Sequence, residues 1–103
     1  MERDFIKRNE TRLYLEKLLE RVAETTGTTK EEIISRNREV DLVDIRGIFC
    51  YIARSAGIPS QKIGESINRT HAAVLHASKR TEDLVRIKDK RIIGILNCLE
   101  KNN

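Results

Sequence analysis

The chain has 103 residues, a formal net charge of +4, 35% charged and 4% aromatic residues, one proline and five glycines. That length suits one domain with a modest core, and the scarcity of aromatic residues favours helices over sheet. An apolar fraction of 39% excludes wholesale disorder. The charge is unevenly placed: residues 1–44 hold nine Lys/Arg against eleven Asp/Glu, residues 45–103 eleven against five. A basic half points to an anionic partner, either nucleic acid or a membrane surface.

In chain order, residues 4–25 read as one amphipathic helix, with Ile6, Leu15, Leu18, Leu19 and Val22 mostly at three- and four-residue steps. Gly27 reads as its stop. Thr29 to Glu32 has the form of a capping box and opens a short helix through about Ser35. The polar segment Arg36 to Asp41 reads as a loop. A third helix is expected from Leu42 or Val43 to Ala56, on the stripe Ile45, Ile48, Phe49, Ile52 and Ala53; Gly57-Ile58-Pro59 breaks it. A short helix over about Ser60 to Ile67, a tight turn at Asn68-Arg69, a longer helix from Thr70 to roughly Val85 and a last one over about Asp89 to Glu100 complete the pattern. The expected fold is all-α, one domain over residues 1–103 with about six helices and no internal repeat.

Cys50 and Cys98 stand among apolar residues without ligand spacing and read as buried reduced thiols. His71 and His76 are five apart and share no helix face, so neither a metal nor a cofactor is expected. MERDFIKRNE lacks the apolar stretch of a signal peptide, and no apolar run approaches the roughly 20 residues that span a bilayer. The expectation is a cytoplasmic protein with no membrane contact. The serines have no nucleophile setting, and the carboxylate pairs Glu31/Glu32 and Glu82/Asp83 read as solvated faces, so no enzyme is expected.

The informative stretch is Ile58 to Arg80, IPSQKIGESINRTHAAVLHASKR. A helix of two turns, a short turn and a longer helix is the helix-turn-helix layout. Ile63 and Ile67 pack inward against Val74 and Ala77, Gly64 leaves room for a close crossing, and Ala72 and Ala73 keep the exposed helix start small. In such a motif the start of the second helix meets base edges in the major groove of double-stranded DNA. Arg69, His71 and Thr70 are the candidate base contacts, with Ala72 and Ala73 able to pack on thymine methyls. Lys62, Lys79, Arg80 and Arg46 are the candidate phosphate contacts. His76 is either a structural histidine or part of this surface. Between Ile45 and Thr81 there are six Lys/Arg against one acidic residue, Glu65, so the basic excess coincides with the motif.

RTHAAVLHASK resembles the C-terminal DNA-binding domain of the bacterial replication initiator DnaA, a Trp-repressor-like helix-turn-helix. The family pattern there is roughly Gly-Gly-Arg-Asp-His-Ser/Thr-Thr-Val-Leu-His-Ala. Arg69, His71, Val74, Leu75, His76 and Ala77 match it, as does the preceding Ile63-Gly64 pair. VAETTGTTKEEIISRNRE looks like the family's two opening helices and basic loop, and Arg46 fits its arginine at the next helix, so the resemblance covers about residues 20–85. It implies sequence-specific DNA binding in replication or transcription control. Departures stand beside the matches. Thr70 replaces the family's Asp, Ala72 and Ala73 replace its two hydroxyl residues, and the turn lacks the family's glycine before Arg69. Asp44 falls where the resemblance places the family's minor-groove arginine, and an acidic residue there would repel phosphates. No GxxxxGK[ST] loop is present, which excludes ATP-driven origin melting for this chain alone. The alternative is an adaptor or decoy that kept the fold but not the recognition, and binds a protein, or a second copy of itself, through the first helix.

Overall fold

The structure, a computed structural model, describes residues 2–101, with side chains from residue 9 onward. Six α-helices form among the described residues: α1 Glu2–Thr26, α2 Lys30–Ile34, α3 Val40–Ser55, α4 Ser60–Ile67, α5 His71–Arg86 and α6 Lys90–Lys101. This is the expected all-α architecture. Within α1, Leu15, Leu18, Leu19, Val22 and Ala23 are buried, the i, i+3, i+4, i+7, i+8 stripe of a helix with one covered face. The expectation for Ile6 lies outside the described side chains. At the end of α1, Gly27 takes φ +71°, a conformation glycine adopts without steric cost. Thr28 N–H then donates back to the Ala23 carbonyl (2.9 Å).

The capping box that opens α2 is complete. Thr29 Oγ1 accepts from Glu32 N–H (3.1 Å), and the Glu32 carboxylate accepts from Thr29 N–H (3.1 Å). Helix α3 begins at Val40, two or three residues ahead of its expected start, because Asn37 Oδ1 accepts the Glu39 N–H (2.9 Å) and Val43 N–H already bonds the Glu39 carbonyl (3.0 Å). It is the central element, packing most extensively on α5 and also touching α1, α2, α4 and α6. Ile45, Ile48, Phe49, Cys50 and Ala53 are all buried along it. Gly47 sits where α3 crosses α5: a Cβ there would lie 2.3 Å from Thr81 Oγ1 and 3.2 Å from the Ala77 carbonyl oxygen. Helix α6 lies against α1, α3 and α5, seals the core with Ile92 and Leu99, and receives a hydrogen bond from Arg21 Nη2 to the Leu99 carbonyl (2.6 Å). No helix among the described residues is long and apolar enough to cross a membrane.

The two cysteines part company. Cys50 is buried as expected, but Cys98 is exposed on α6, because it falls off the Ile92–Leu99 face. Burial pushes the Cys50 thiol up to about 12, with the Arg69 charge pulling weakly the other way. A thiolate is the nucleophile in alkylation, so the folded protein at pH 8 should react at Cys98 alone. Cys50 should become available only on unfolding; labelling of both thiols at equal rates in native buffer would contradict the packing of α3. The same shift sets a pH dependence. A thiol whose folded pKa is raised keeps its proton where the unfolded chain loses it, so stability should fall as pH rises from about 9 towards 12.

Candidate nucleic-acid interface

Helices α4 and α5 meet as a helix-turn-helix. Helix α4 ends at Asn68, which takes the left-handed conformation (φ 56°, ψ 47°). Asparagine tolerates this region better than other non-glycine residues, and here it serves the turn that the resemblance gives to glycine. The turn folds onto the Gly64 carbonyl, which accepts from Arg69 N–H (2.8 Å) and from the Asn68 cap N–H. Thr70 is the N-cap of α5, its Oγ1 accepting from Ala73 N–H (3.1 Å). Ile63, Ile67 and Val74 are buried and Ala77 is partly buried against them, as the sequence pattern predicts.

With that face of α5 turned inward, His71, Ala72, His76 and Lys79 are exposed and Ala73 is half-buried. Ala72, His76 and Lys79 follow one another at helical steps, so small and polar side chains line an open face. Lys62 and Lys79 are exposed and pair along their own helices with Glu65 (3.8 Å) and Asp83 (3.3 Å). Exposed pairs of this kind contribute about 0–1 kcal/mol, so both lysines can exchange their carboxylate for another anion. A groove of about 490 Å³ runs beside the start of α5, bordered by Arg36 and Arg38 of the α2–α3 loop and floored by Val43, Ala73 and Ala77.

Three expected roles change in the structure. Arg46, expected at a phosphate, is buried: its Nε donates to the Ile33 carbonyl (2.6 Å) and its Nη2 to those of Glu32 (3.2 Å) and Ser35 (2.7 Å). Burial, and after it the Arg69 charge, lowers its pKa from the ordinary value. Arg69, expected against a base, is half-buried. Its Nη1 donates to the Ile34 carbonyl (3.0 Å) and to those of Ile67 and Asn68, while its Nη2 donates to that of Ser35. The physical cause is α2. A helix leaves its last four carbonyls without intrahelical donors, and in five residues there is little else. The carbonyls of residues 32–35 are the ones that the two guanidiniums reach.

Asp44, expected to repel phosphates, is buried, its carboxylate held by Arg80 and Arg91. It is therefore not an open anion beside the groove. Sequence reasoning missed Arg36 and Arg38, which border the groove, and Arg91, which holds Asp44. The alternating arginines of SRNRE were the available signal for the first two, whereas nothing local marks Arg91, which reaches Asp44 across 47 positions.

The fold and the site together define a helix-turn-helix protein with a basic groove at the start of its second motif helix. The family model described as the bacterial dnaA protein helix-turn-helix matches residues 15–81. Among curated proteins, the chain is 35% identical over 98 residues to the chromosomal replication initiator protein DnaA of Thermotoga petrophila, covering 92% of this chain and 22% of that protein. It is 32% identical over 98 residues to the protein of the same name from Thermotoga maritima, with 92% and 22% covered, and 30% identical over 83 residues to that of Mycoplasma genitalium, with 80% and 19% covered. The chain belongs to the bacterial DnaA helix-turn-helix family, and it spans about a fifth of the length of the curated relatives it matches.

Proposed function

We propose that this chain binds double-stranded DNA in a sequence-specific manner, in replication initiation, by laying the open face of α5 in the major groove. The observation that carries the reading is the juxtaposition of that face with the arginine-bordered groove at its start. Family membership supports it, since the relatives are named as replication initiators. In this reading His71, Ala72, Ala73 and His76 meet bases. Thr70 fixes the helix start, and its remaining lone pair and proton are free for a phosphate or base. Lys62, Lys79, Arg80, Arg36 and Arg38 meet the backbone, where they set affinity more than specificity.

Arg46 and Arg69 act as positioning residues in this reading. Both hold the carbonyls of residues 32–35, so the loop that carries Arg36 and Arg38 is tied to the start of α5. Selection from a random duplex library at about 0.1 M salt tests specificity, under conditions where exposed charges are already screened over about 10 Å. An enriched motif is expected. A salt titration on that motif should give a slope of log K against log salt near −4 to −5, as about five neutralised phosphates require. Lys79→Ala should weaken all duplexes alike and lower the magnitude of that slope by about 1. No enrichment together with no retained duplex would remove the DNA reading and leave a protein-binding module.

A further inference from the structure

The cluster around Asp44 has a feature that the helix-turn-helix alone does not require. Asp44 of α3 is buried, yet its two guanidinium partners are not: the Arg80 and Arg91 side chains remain 47% and 45% exposed. Each gives one nitrogen, Nη1, to the carboxylate. Arg91 gives its Nη2 to Asp41 (2.6 Å), a side chain that is 77% exposed. Arg80 follows Ala73 and Ala77 along the same face of α5, and Asp44 follows Val43, so the arginine pair lies next along the helices beyond the residues that line the groove. Arg80 stands about 10 Å along α5 from Ala73.

The two carboxylates are not equivalent. A buried anion is expensive to leave unpaired, so Asp44 cannot release its arginines without a large penalty. Asp41 is solvated, and an exposed pair is worth about 0–1 kcal/mol, so it yields readily to another anion. We infer that Asp44 fixes Arg80 and Arg91 as a paired-guanidinium seat for one phosphodiester of the bound DNA backbone, that Asp41 occupies this seat in the free protein, and that α6 thereby belongs to the DNA surface. The chemistry fits: two guanidinium edges converging on one carboxylate present their remaining N–H groups together, and planar donors of this kind suit phosphate oxygens. Asp89 fixes the start of α6 by accepting the Ile92 N–H (3.1 Å), which holds Arg91 in its first turn. This inference rests on the DNA reading above.

The test is a set of salt titrations on one duplex. Arg91→Ala should lower the magnitude of the slope by about 0.9, the share of one phosphate on B-DNA. Lys101→Ala removes the same charge from the far end of α6 and should leave the slope unchanged. Asp41→Asn vacates the seat and should raise affinity about two- to five-fold, the range that losing an exposed pair of this strength allows. That gain should vanish in the Arg91→Ala/Asp41→Asn double variant. A slope for Arg91→Ala equal to that of Lys101→Ala would overturn the inference, as would the same gain from Asp41→Asn with and without Arg91. In either case the parent chain still binds, so the DNA reading survives. If the parent chain retains no duplex at any salt, both readings fall together.

Discussion

Arg46→Ala should lower the unfolding free energy by about 3 kcal/mol, a large share of the roughly 5–15 kcal/mol available to a domain. Three carbonyls lose a charged donor, and hydrogen bonds to charged groups contribute about 1.5–3 kcal/mol each. The loss stays below their sum because Ser35 keeps Arg69 and the loop edge can take up water. Arg46→Lys should recover less than half, since an ammonium is a point charge that cannot span three carbonyls on two nitrogens. Urea denaturation reads the result as a lower midpoint at constant m-value. A phosphate-contacting arginine behaves in the opposite way, sparing the midpoint and flattening the salt dependence of DNA binding. If Arg46→Ala folds as stably as the parent, the buried guanidinium has no structural role.

The contrast between Arg46 and Lys79 shows what the sequence made legible and what it withheld. Helical spacing placed the long helices α1 and α3, because a covered face must recur every three or four residues whatever it packs against. The capping box that opens α2 and the Asn68-Arg69 turn that ends α4 were visible because their hydrogen bonds close within three to five residues. The direction of an arginine is a different matter. It depends on where acceptors lie unpaired, and those at residues 32–35 come close to Arg69 only after folding.

One local signal was nevertheless present. LVDIRGIF sets Asp44 and Arg46 within an apolar run, and charges in a buried stripe are almost always partnered. The run announces that both charges are satisfied inside the fold. It cannot say by what, since the partners of Asp44 lie 36 and 47 positions away. The expected repulsion at Asp44 failed because a charge was counted without its counter-ions. The motif arginine follows the same logic: Arg69 matches the family pattern, and in this fold the match preserves the loop and the helix start as one unit.

Gly64→Ala should cost about 2–3 kcal/mol, although alanine is the better helix former. An unhindered helical site would gain up to about 1 kcal/mol from the change. At Gly64 the new Cβ would stand 2.4 Å from the Arg69 carbonyl oxygen and 3.4 Å from Val74 Cγ2. The nearer atom is backbone, so no side-chain rotation relieves it. Overpacking at a fixed contact costs about 1–3 kcal/mol, occasionally more. Relief requires α4 and α5 to part, and Ile63, Ile67 and Val74 are buried where they meet. The turn would move too, since Arg69 N–H bonds the Gly64 carbonyl; that displaces the start of α5, so binding to a selected duplex should fall further than binding to random DNA. Gly94→Ala supplies the opposite sign. Gly94 lies inside α6, and a Cβ there meets nothing within 4 Å, so the propensity gain should appear undiminished as a higher unfolding midpoint. Equal stabilisation by the two substitutions would mean that the helix-turn-helix is more loosely packed than its glycine implies.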